Sequence, residues 1–387
     1  MEAHFIELFI LIAATQIVGW LFRRFGQPAV IGELLAGVIV GPSLLGWVAE
    51  GEILEFISEL GAVFLLFMVG LETRLKDILS VGVQALVVAL LGVALPFAGG
   101  YLYGGVVGFD QLASLFLGTA LVATSVGITA RVLGELGVIS RSYSRIILGA
   151  AVIDDVLGLI VLAVVSGIAQ TGEFDPGTVW RLGGLSLAFV LAAMALVPLI
   201  GRVPIAKLPV QSTYGLALIL GIGFAVIADT IGLAPIIGAF LAGMVLAEIR
   251  EEHDLEAPIR AVEAFLAPVF FAVVGLQLEL AALASSTVLI AGSVVALIAI
   301  LGKLVGGFLG TLREGTAKAL VVGVGMVPRG EVGLIVAAIG SSAGAVNQEE
   351  YAIVIFMVVA TTIVAPLALR PLIAWAERVP NPSKGVK

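Results

Sequence analysis

Ile146-Ile147-Leu148-Gly149-Ala150-Ala151-Val152-Ile153-Asp154-Asp155-Val156-Leu157-Gly158-Leu159-Ile160-Val161-Leu162 is apolar at every position but two. Such a run reads as part of a helix that crosses a bilayer, because about 20 residues at about 1.5 Å rise span a hydrocarbon core of about 30 Å. Each carboxylate inside it costs roughly 3 kcal/mol, and such residues persist where they bind or carry something, most often a proton or a cation.

The rest of the chain repeats the pattern. Its 387 residues are 60% hydrophobic and 12% charged, with a mean hydropathy of +1.18, outside the range of ordinary soluble domains. About thirteen apolar segments are expected, over 4–22, 29–49, 53–72, 80–104, 111–134, 145–169, 179–201, 212–230, 233–248, 261–278, 287–312, 317–343 and 351–376. This is an all-α polytopic membrane protein. Lysine and arginine test the count, since they gather on the cytoplasmic side. Arg23, Arg24, Arg74, Lys76, Arg131, Arg141, Arg145, Arg202, Lys207, Arg250, Arg260, Arg313, Lys318, Arg370, Arg378, Lys384 and Lys387 fall after odd-numbered segments or in the tail, while Arg181 falls after an even-numbered one. The alternation predicts an external N-terminus and a cytoplasmic C-terminus. Met1-Glu2-Ala3-His4 has no basic n-region, so the first apolar run is expected to stay as a helix. The net charge of −8 comes mostly from acidic loops such as Glu251-Glu252-His253-Asp254-Leu255-Glu256, read as solvated helix ends, and predicts no nucleic-acid partner. With no cysteine, disulfide and thiol chemistry are excluded.

Two stretches recur. Val30-Ile31-Gly32-Glu33-Leu34-Leu35-Ala36-Gly37 returns about 206 positions later as Ile236-Ile237-Gly238-Ala239-Phe240-Leu241-Ala242-Gly243, and Phe67-Met68-Val69-Gly70-Leu71 returns as Ala272-Val273-Val274-Gly275-Leu276. Matching segments are an odd number apart, so they cross in opposite directions. Two inverted-topology repeats of six helices, with the seventh as linker, are therefore expected, an architecture of secondary transporters. Segment 5 carries Thr124-Ser125-Val126-Gly127, and segment 12 carries Met326-Val327-Pro328-Arg329-Gly330-Glu331 at a similar offset. Small polar residues in one and a proline in the other predict two discontinuous helices that cross.

Four features share one depth. Asp154 and Asp155 lie nine or ten residues inside segment 6, Lys303 ten residues before Arg313, and Pro328 ten residues beyond Lys318. Neighbouring helical residues point about 100° apart, so one aspartate can face water while the other pairs with Lys303. Two close carboxylates in low dielectric resist ionising together, and a bound cation reverses that preference. Competition of protons and cations for one carboxylate is enough to couple their transport if the empty, charged site cannot cross. Arg329 and Glu331 are read as compensating half-helix dipoles or pairing with each other, Glu33 and Asp229 as packing or interface residues, and His4 and His253 as solvated.

The sequence resembles bacterial sodium/proton antiporters of the second cation/proton antiporter superfamily, the NapA type in particular. The resemblance runs over essentially the whole chain through Gln27-Pro28-Ala29-Val30-Ile31-Gly32-Glu33, Phe67-Met68-Val69-Gly70-Leu71-Glu72, Ala123-Thr124-Ser125, Val152-Ile153-Asp154-Asp155-Val156-Leu157-Gly158 and Pro328-Arg329-Gly330-Glu331. It implies Asp155 as the ligand of the transported Na+, an Asp154–Lys303 salt bridge, and Thr124 and Ser125 as the helix break beside the ion. It further implies a homodimer in the bacterial inner membrane that works as an elevator. A dimer scaffold would take residues 1–77 and 204–282, a transport core 78–170 and 283–378, a linker helix 171–203 and a cytoplasmic tail 379–387. The paired aspartates imply electrogenic exchange, driven by membrane potential at about 2.3 kcal/mol per charge per 100 mV.

The expected activity is therefore exchange of cytoplasmic Na+, and Li+, for external H+, with the lipid bilayer as surroundings and no cofactor. Potassium/proton exchange or Kef-like potassium efflux is the alternative, although the nucleotide-binding domain of many Kef-type relatives is not expected here. A channel would need rings of carbonyls or charges around a pore, which one asymmetric cluster does not supply. No metal-ligand set, nucleophile–base pair or phosphate loop points to an enzyme.

Overall fold

The computed structural model describes residues 2–171, 175–200, 210–247, 249, 255–277 and 285–378. Arg202, Lys207, Arg250, His253 with its acidic neighbours, Lys384, Lys387 and the expected boundaries at 203 and 282 lie outside the described residues. Among those described, every regular element is helical. In chain order the helices are α1 (Glu2–Arg24), α2 (Ala29–Val40), α3 (Glu52–Leu71), α4 (Leu75–Ser80), α5 (Gly82–Val107), α6 (Gln111–Val122), α7 (Val126–Glu135) and α8 (Ser142–Thr171). They continue with α9 (Pro176–Ile200), α10 (Val210–Thr230), α11 (Pro235–Leu246), α12 (Glu256–Leu276), α13 (Ser286–Thr311), α14 (Thr316–Gly325), α15 (Glu331–Ser342) and α16 (Gln348–Arg378).

Among the described residues nine spans are long and apolar enough to cross a membrane, and five shorter apolar helices accompany them. One of the short ones corrects an expectation. Segment 2 was expected to run to 49, yet α2 ends at Val40. Gly41 precedes Pro42, whose ring disfavours helical geometry in the residue before it, and Gly41 adopts an extended conformation with ψ −178°. Arg131 and Arg370, expected at segment ends, lie inside α7 and α16.

The helices divide into two compact units. The first comprises Met1–Ser80, Leu133–Ser140 and Leu182–Gln277, and the second Val81–Val132, Arg141–Arg181 and Leu278–Lys387. Within the first, the recurring glycines explain the packing. A Cβ added to Gly37 on α2 would overlap the Ala272 carbonyl oxygen on α12, and one added to Gly243 on α11 would overlap the Phe67 carbonyl oxygen on α3. Their counterparts answer: Gly275 abuts the Leu34 carbonyl and Gly70 the Phe240 carbonyl. Each repeat thus lends one glycine helix to the other, as two copies related by a two-fold axis would. Pro28 offers no side-chain cap to α2, and Glu135 supplies one from far along the chain, its Oε2 accepting the Ala29 amide at 3.0 Å.

The second unit repeats the device. A Cβ on Gly100 would sit 2.9 Å from the Gly118 Cα, packing α5 on α6, and one on Gly307 would sit 2.6 Å from the Gly323 Cα, packing α13 on α14. Between α5 and α13 the contact is closer still. Gly302, Gly306 and Gly310, one turn apart, face Pro96, Gly92 and Val88 with added-Cβ distances of 2.9, 2.9 and 2.7 Å. Backbone touches backbone along that seam, which no larger residue permits.

Gly37→Ala is expected to lower the thermal unfolding midpoint in detergent by the equivalent of about 1–3 kcal/mol, the cost of overpacking. Gly105→Ala, at a glycine with no neighbour within 4 Å, should be neutral or slightly stabilising. Equal effects at the two positions would remove the packing argument.

Candidate ion-translocation site

A helix broken inside a membrane exposes amides and carbonyls that lipid cannot satisfy. Segment 5 breaks at Ala123-Thr124-Ser125 between α6 and α7, and segment 12 breaks over 326–330 between α14 and α15, where Pro328 has no amide to continue the helix. The interruptions satisfy each other. The Ser125 amide donates to the Pro328 carbonyl at 2.8 Å, the Thr129 hydroxyl donates to the Gly325 carbonyl at 2.6 Å, and the Thr124 hydroxyl reaches Met326 O at 3.5 Å, the limit of a hydrogen bond. Gly330 permits the approach, since a Cβ there would lie 2.8 Å from Ser125 Oγ.

Arg329 fills the crossing. It is fully buried, and its guanidinium donates to Val327 O at 2.5 Å, Leu121 O at 2.7 Å, Met326 O at 3.3 Å and Ala299 O at 3.3 Å. Leu121 lies in the last turn of α6 and Met326 caps the C-terminus of α14, so one cation meets the negative ends of two half-helices. The Arg329 carbonyl is held in turn by the Thr362 hydroxyl from α16.

The charged pair stands beside this crossing. On α8, Asp154 is 1% exposed and accepts from Lys303 Nζ of α13 at 2.7 Å through Oδ1, while Lys303 is 0% exposed. Ala299, whose carbonyl Arg329 binds, lies one turn before Lys303 on the same face of α13. Asp155 is only partly buried, so the two aspartates occupy different surroundings. Three buried polar atoms here have no hydrogen-bond partner: Asp154 Oδ2, Ser125 Oγ and Arg329 Nε. Each orphan costs about 1–3 kcal/mol, and such groups call for a ligand or a functional reason.

The second unit therefore brings together Asp154, Lys303, Thr124, Ser125 and Arg329 from α6 to α8, α13 and the segment-12 break. Glu331 opens α15, but its side chain lies outside the described residues. Glu33 is buried in α2 of the first unit, Asp229 is exposed near the end of α10, and His4 is exposed 3.4 Å from Glu7. Sequence reasoning missed Thr129 and Thr362, whose signal was a hydroxyl in an otherwise apolar helix. It also missed the carbonyl partners of Arg329, which no residue type announces.

Chemically, the site offers oxygen atoms, the ligands hard cations prefer, next to a lysine already committed to one carboxylate. Stability alone does not explain that pair. Breaking a buried pair costs about 3–5 kcal/mol, yet replacing the whole pair by apolar residues is often neutral or stabilising.

A family profile described as "Sodium/hydrogen exchanger, transmembrane" matches residues 10–375. The chain is similar to the High-affinity Na(+)/H(+) antiporter NhaS3 of Synechocystis sp., 35% identical over 98% of this chain and 92% of that one. It is 34% identical to the Na(+)/H(+)-K(+) antiporter GerN of Bacillus cereus over 98% and 99%, and 34% identical to a Na(+)/H(+) antiporter of Enterococcus hirae over 94% and 96%. Among solved structures, the sodium proton antiporter MjNhaP1 of Methanocaldococcus jannaschii shares the fold, with a TM-score of 0.73 at 16% identity over 95% of both chains.

Arg329→Gln should strip donors from carbonyls on three elements and lower the unfolding midpoint by the equivalent of several kcal/mol, at about 1–3 kcal/mol per bare group. Arg329→Lys should rescue little, because an ammonium cannot reproduce the planar fork. A lysine variant as stable as the parent would refute this account of the crossing.

Proposed function

Because the chain belongs to the transmembrane sodium/hydrogen exchanger family, we infer that it is a secondary-active antiporter exchanging cytoplasmic Na+, and Li+, for external H+. It is a transporter and not an enzyme. The observation that carries the residue assignment is the 2.7 Å Lys303–Asp154 pair: with Asp154 committed to the lysine, the adjacent Asp155 is the carboxylate for which H+ and Na+ compete. A protonated Asp155 holds no metal ion, and a sodium-bound one holds no proton. Ser125 Oγ and Asp154 Oδ2, buried and without hydrogen-bond partners, are the neighbouring oxygens from which the ion's shell is completed.

In this reading the second unit, which holds Asp154, Asp155 and Lys303, is the moving transport core of an elevator, and the first unit is the scaffold of a homodimer. The assignment is supported by the clustering of both broken helices and both ionic partners in one unit. The protein resides in the bacterial inner membrane with its N-terminus outside and its C-terminus in the cytoplasm, a reading supported by the distribution of Lys and Arg. Exchange is electrogenic in this reading, which the resemblance of Asp154-Asp155 to the family's two-aspartate motif supports. Potassium is a second candidate cargo, supported by the likeness to GerN, named a Na(+)/H(+)-K(+) antiporter.

Purified protein in sealed proteoliposomes, given Na+, Li+ and K+ side by side, is expected to release protons with Na+ and Li+. Release with K+ alone would replace sodium by potassium as the cargo, and release with none would end the antiport reading. Asp155→Asn is expected to abolish cation-induced proton release, and parent-level exchange in that variant would exclude Asp155 as carrier. Lys303→Ala should change the charge moved per Na+ or the pH dependence; identical electrophysiology in both proteins would dismiss a role for the pair in transport.

A further inference from the structure

Gly92 occupies the middle of α5, beside the buried pair. A Cβ built there would approach Lys303 Cδ to 3.4 Å, Lys303 Nζ to 3.5 Å and Asp154 Oδ1 to 3.9 Å. Those are contact distances, so the first carbon of a side chain just fits, and a branch from it toward α13 would enter the space of the ammonium. The partner glycine works differently. A Cβ on Gly306 would lie 2.9 Å from the Gly92 amide nitrogen, so Gly306 is what lets α13 lie backbone to backbone on α5. Gly306 brings the helices together, and Gly92 leaves the volume.

The same turn is irregular in a second way. Pro96, four residues on, has no amide to give the Gly92 carbonyl, so that acceptor lacks its regular i+4 helical partner. A glycine in a helix interior also forfeits about 0.5–1 kcal/mol relative to alanine. Both features weaken α5 at the one turn that flanks the ammonium. The charged groups acting on Lys303 are Asp154, Arg329 and Asp155. Helix α5 contributes none, and those of α14 and α16 lie toward their ends, at Lys318, Glu349, Glu350, Arg370, Glu377 and Arg378. What α5 gives the pair is therefore room.

We propose that Gly92 is a positioning residue for exchange: the side chain it lacks is the volume through which the Lys303 ammonium reaches Asp154, so residue 92 fixes where the positive charge beside the ion site stands. The stem of Lys303, with four rotatable methylenes, has many places to lie in an open site. Here it is confined between α5 and α8, and one added branch at 92 displaces the head from the carboxylate oxygen. The proposal rests on the Na+/H+ reading only for its transport consequence; the seating of the lysine stands apart from it.

Two measurements on the full chain test the inference. In proteoliposomes, the charge moved per Na+ is a ratio that does not depend on how much protein is active, so a merely structural defect leaves it alone. Gly92→Val is expected to shift that ratio in the same direction as Lys303→Ala, Gly92→Ala by less, and Gly105→Val, on the same helix with no neighbour within 4 Å, not at all. A ratio equal to the parent's in Gly92→Val overturns the proposal. In detergent, the unfolding midpoint is read for Gly92→Val, Lys303→Ala and the pair together. Removing the lysine should return at least half of the loss caused by valine, and strictly additive losses overturn the proposal. Should Gly92→Val fail to fold, Gly92→Ala supplies the same cycle at smaller amplitude. If the parent exchanges no Na+ for H+, the functional reading fails, and the unfolding cycle still decides where the lysine is seated.

Discussion

Hydrocarbon offers no hydrogen bonds, and a helix interrupted inside it must find partners for several amides and carbonyls at once. That constraint organises the second unit. Two interruptions placed against each other exchange a backbone hydrogen bond between Ser125 and Pro328, and the carbonyls left over go to one guanidinium and two threonine hydroxyls. Arg329 is suited to the task because it presents five donors in a rigid plane and carries a charge that opposes both half-helix ends. Once the crossing closes, Ser125 Oγ and Arg329 Nε are its buried side-chain atoms left without a hydrogen-bond partner among the described residues. The breaks thereby concentrate polarity where a cation can use it.

The ion pair follows from the same economy. An isolated aspartate or lysine at this depth would be neutralised or would draw water in, but at 2.7 Å each offsets the cost of burying the other. Placing them requires α8 and α13 to meet across α5, and α13 comes close because its Gly302, Gly306 and Gly310 have no side chains to hold it away. Packing and chemistry are thus one problem on this face. The glycine seam that binds α5 to α13 also decides where the Lys303 stem can lie.

Much of this was legible in the sequence, for identifiable reasons. Charges in an apolar background stand out, so Asp154, Asp155, Lys303 and Arg329 were found by type and depth alone. The internal repeat was legible because its glycines sit at helix crossings, where geometry forbids anything larger. Thr129 and Thr362 were not, since a threonine in a membrane helix usually bonds its own turn, as Thr361 does with Met357. The end of α2 was written in Gly41-Pro42 but lost in a smooth hydropathy run. Glu135 capping α2 was out of reach, because a cap supplied from more than a hundred residues away leaves no local pattern.

Charge counting links the pair to the energetics of exchange. Were Asp155 the only carrier, one Na+ traded for one H+ there would move no net charge, because the carboxylate would be neutralised on both journeys. Electrogenic exchange would therefore need a second proton in the cycle, and a second group to carry it. Arg329 is tied to four carbonyls, which leaves the Lys303 ammonium as the group that would release that proton to the cytoplasm as the cation binds and regain one from outside; a proton merely passed to Asp154 would move no charge. In the proposed cycle the buried pair would be the element through which membrane potential acts on cation export.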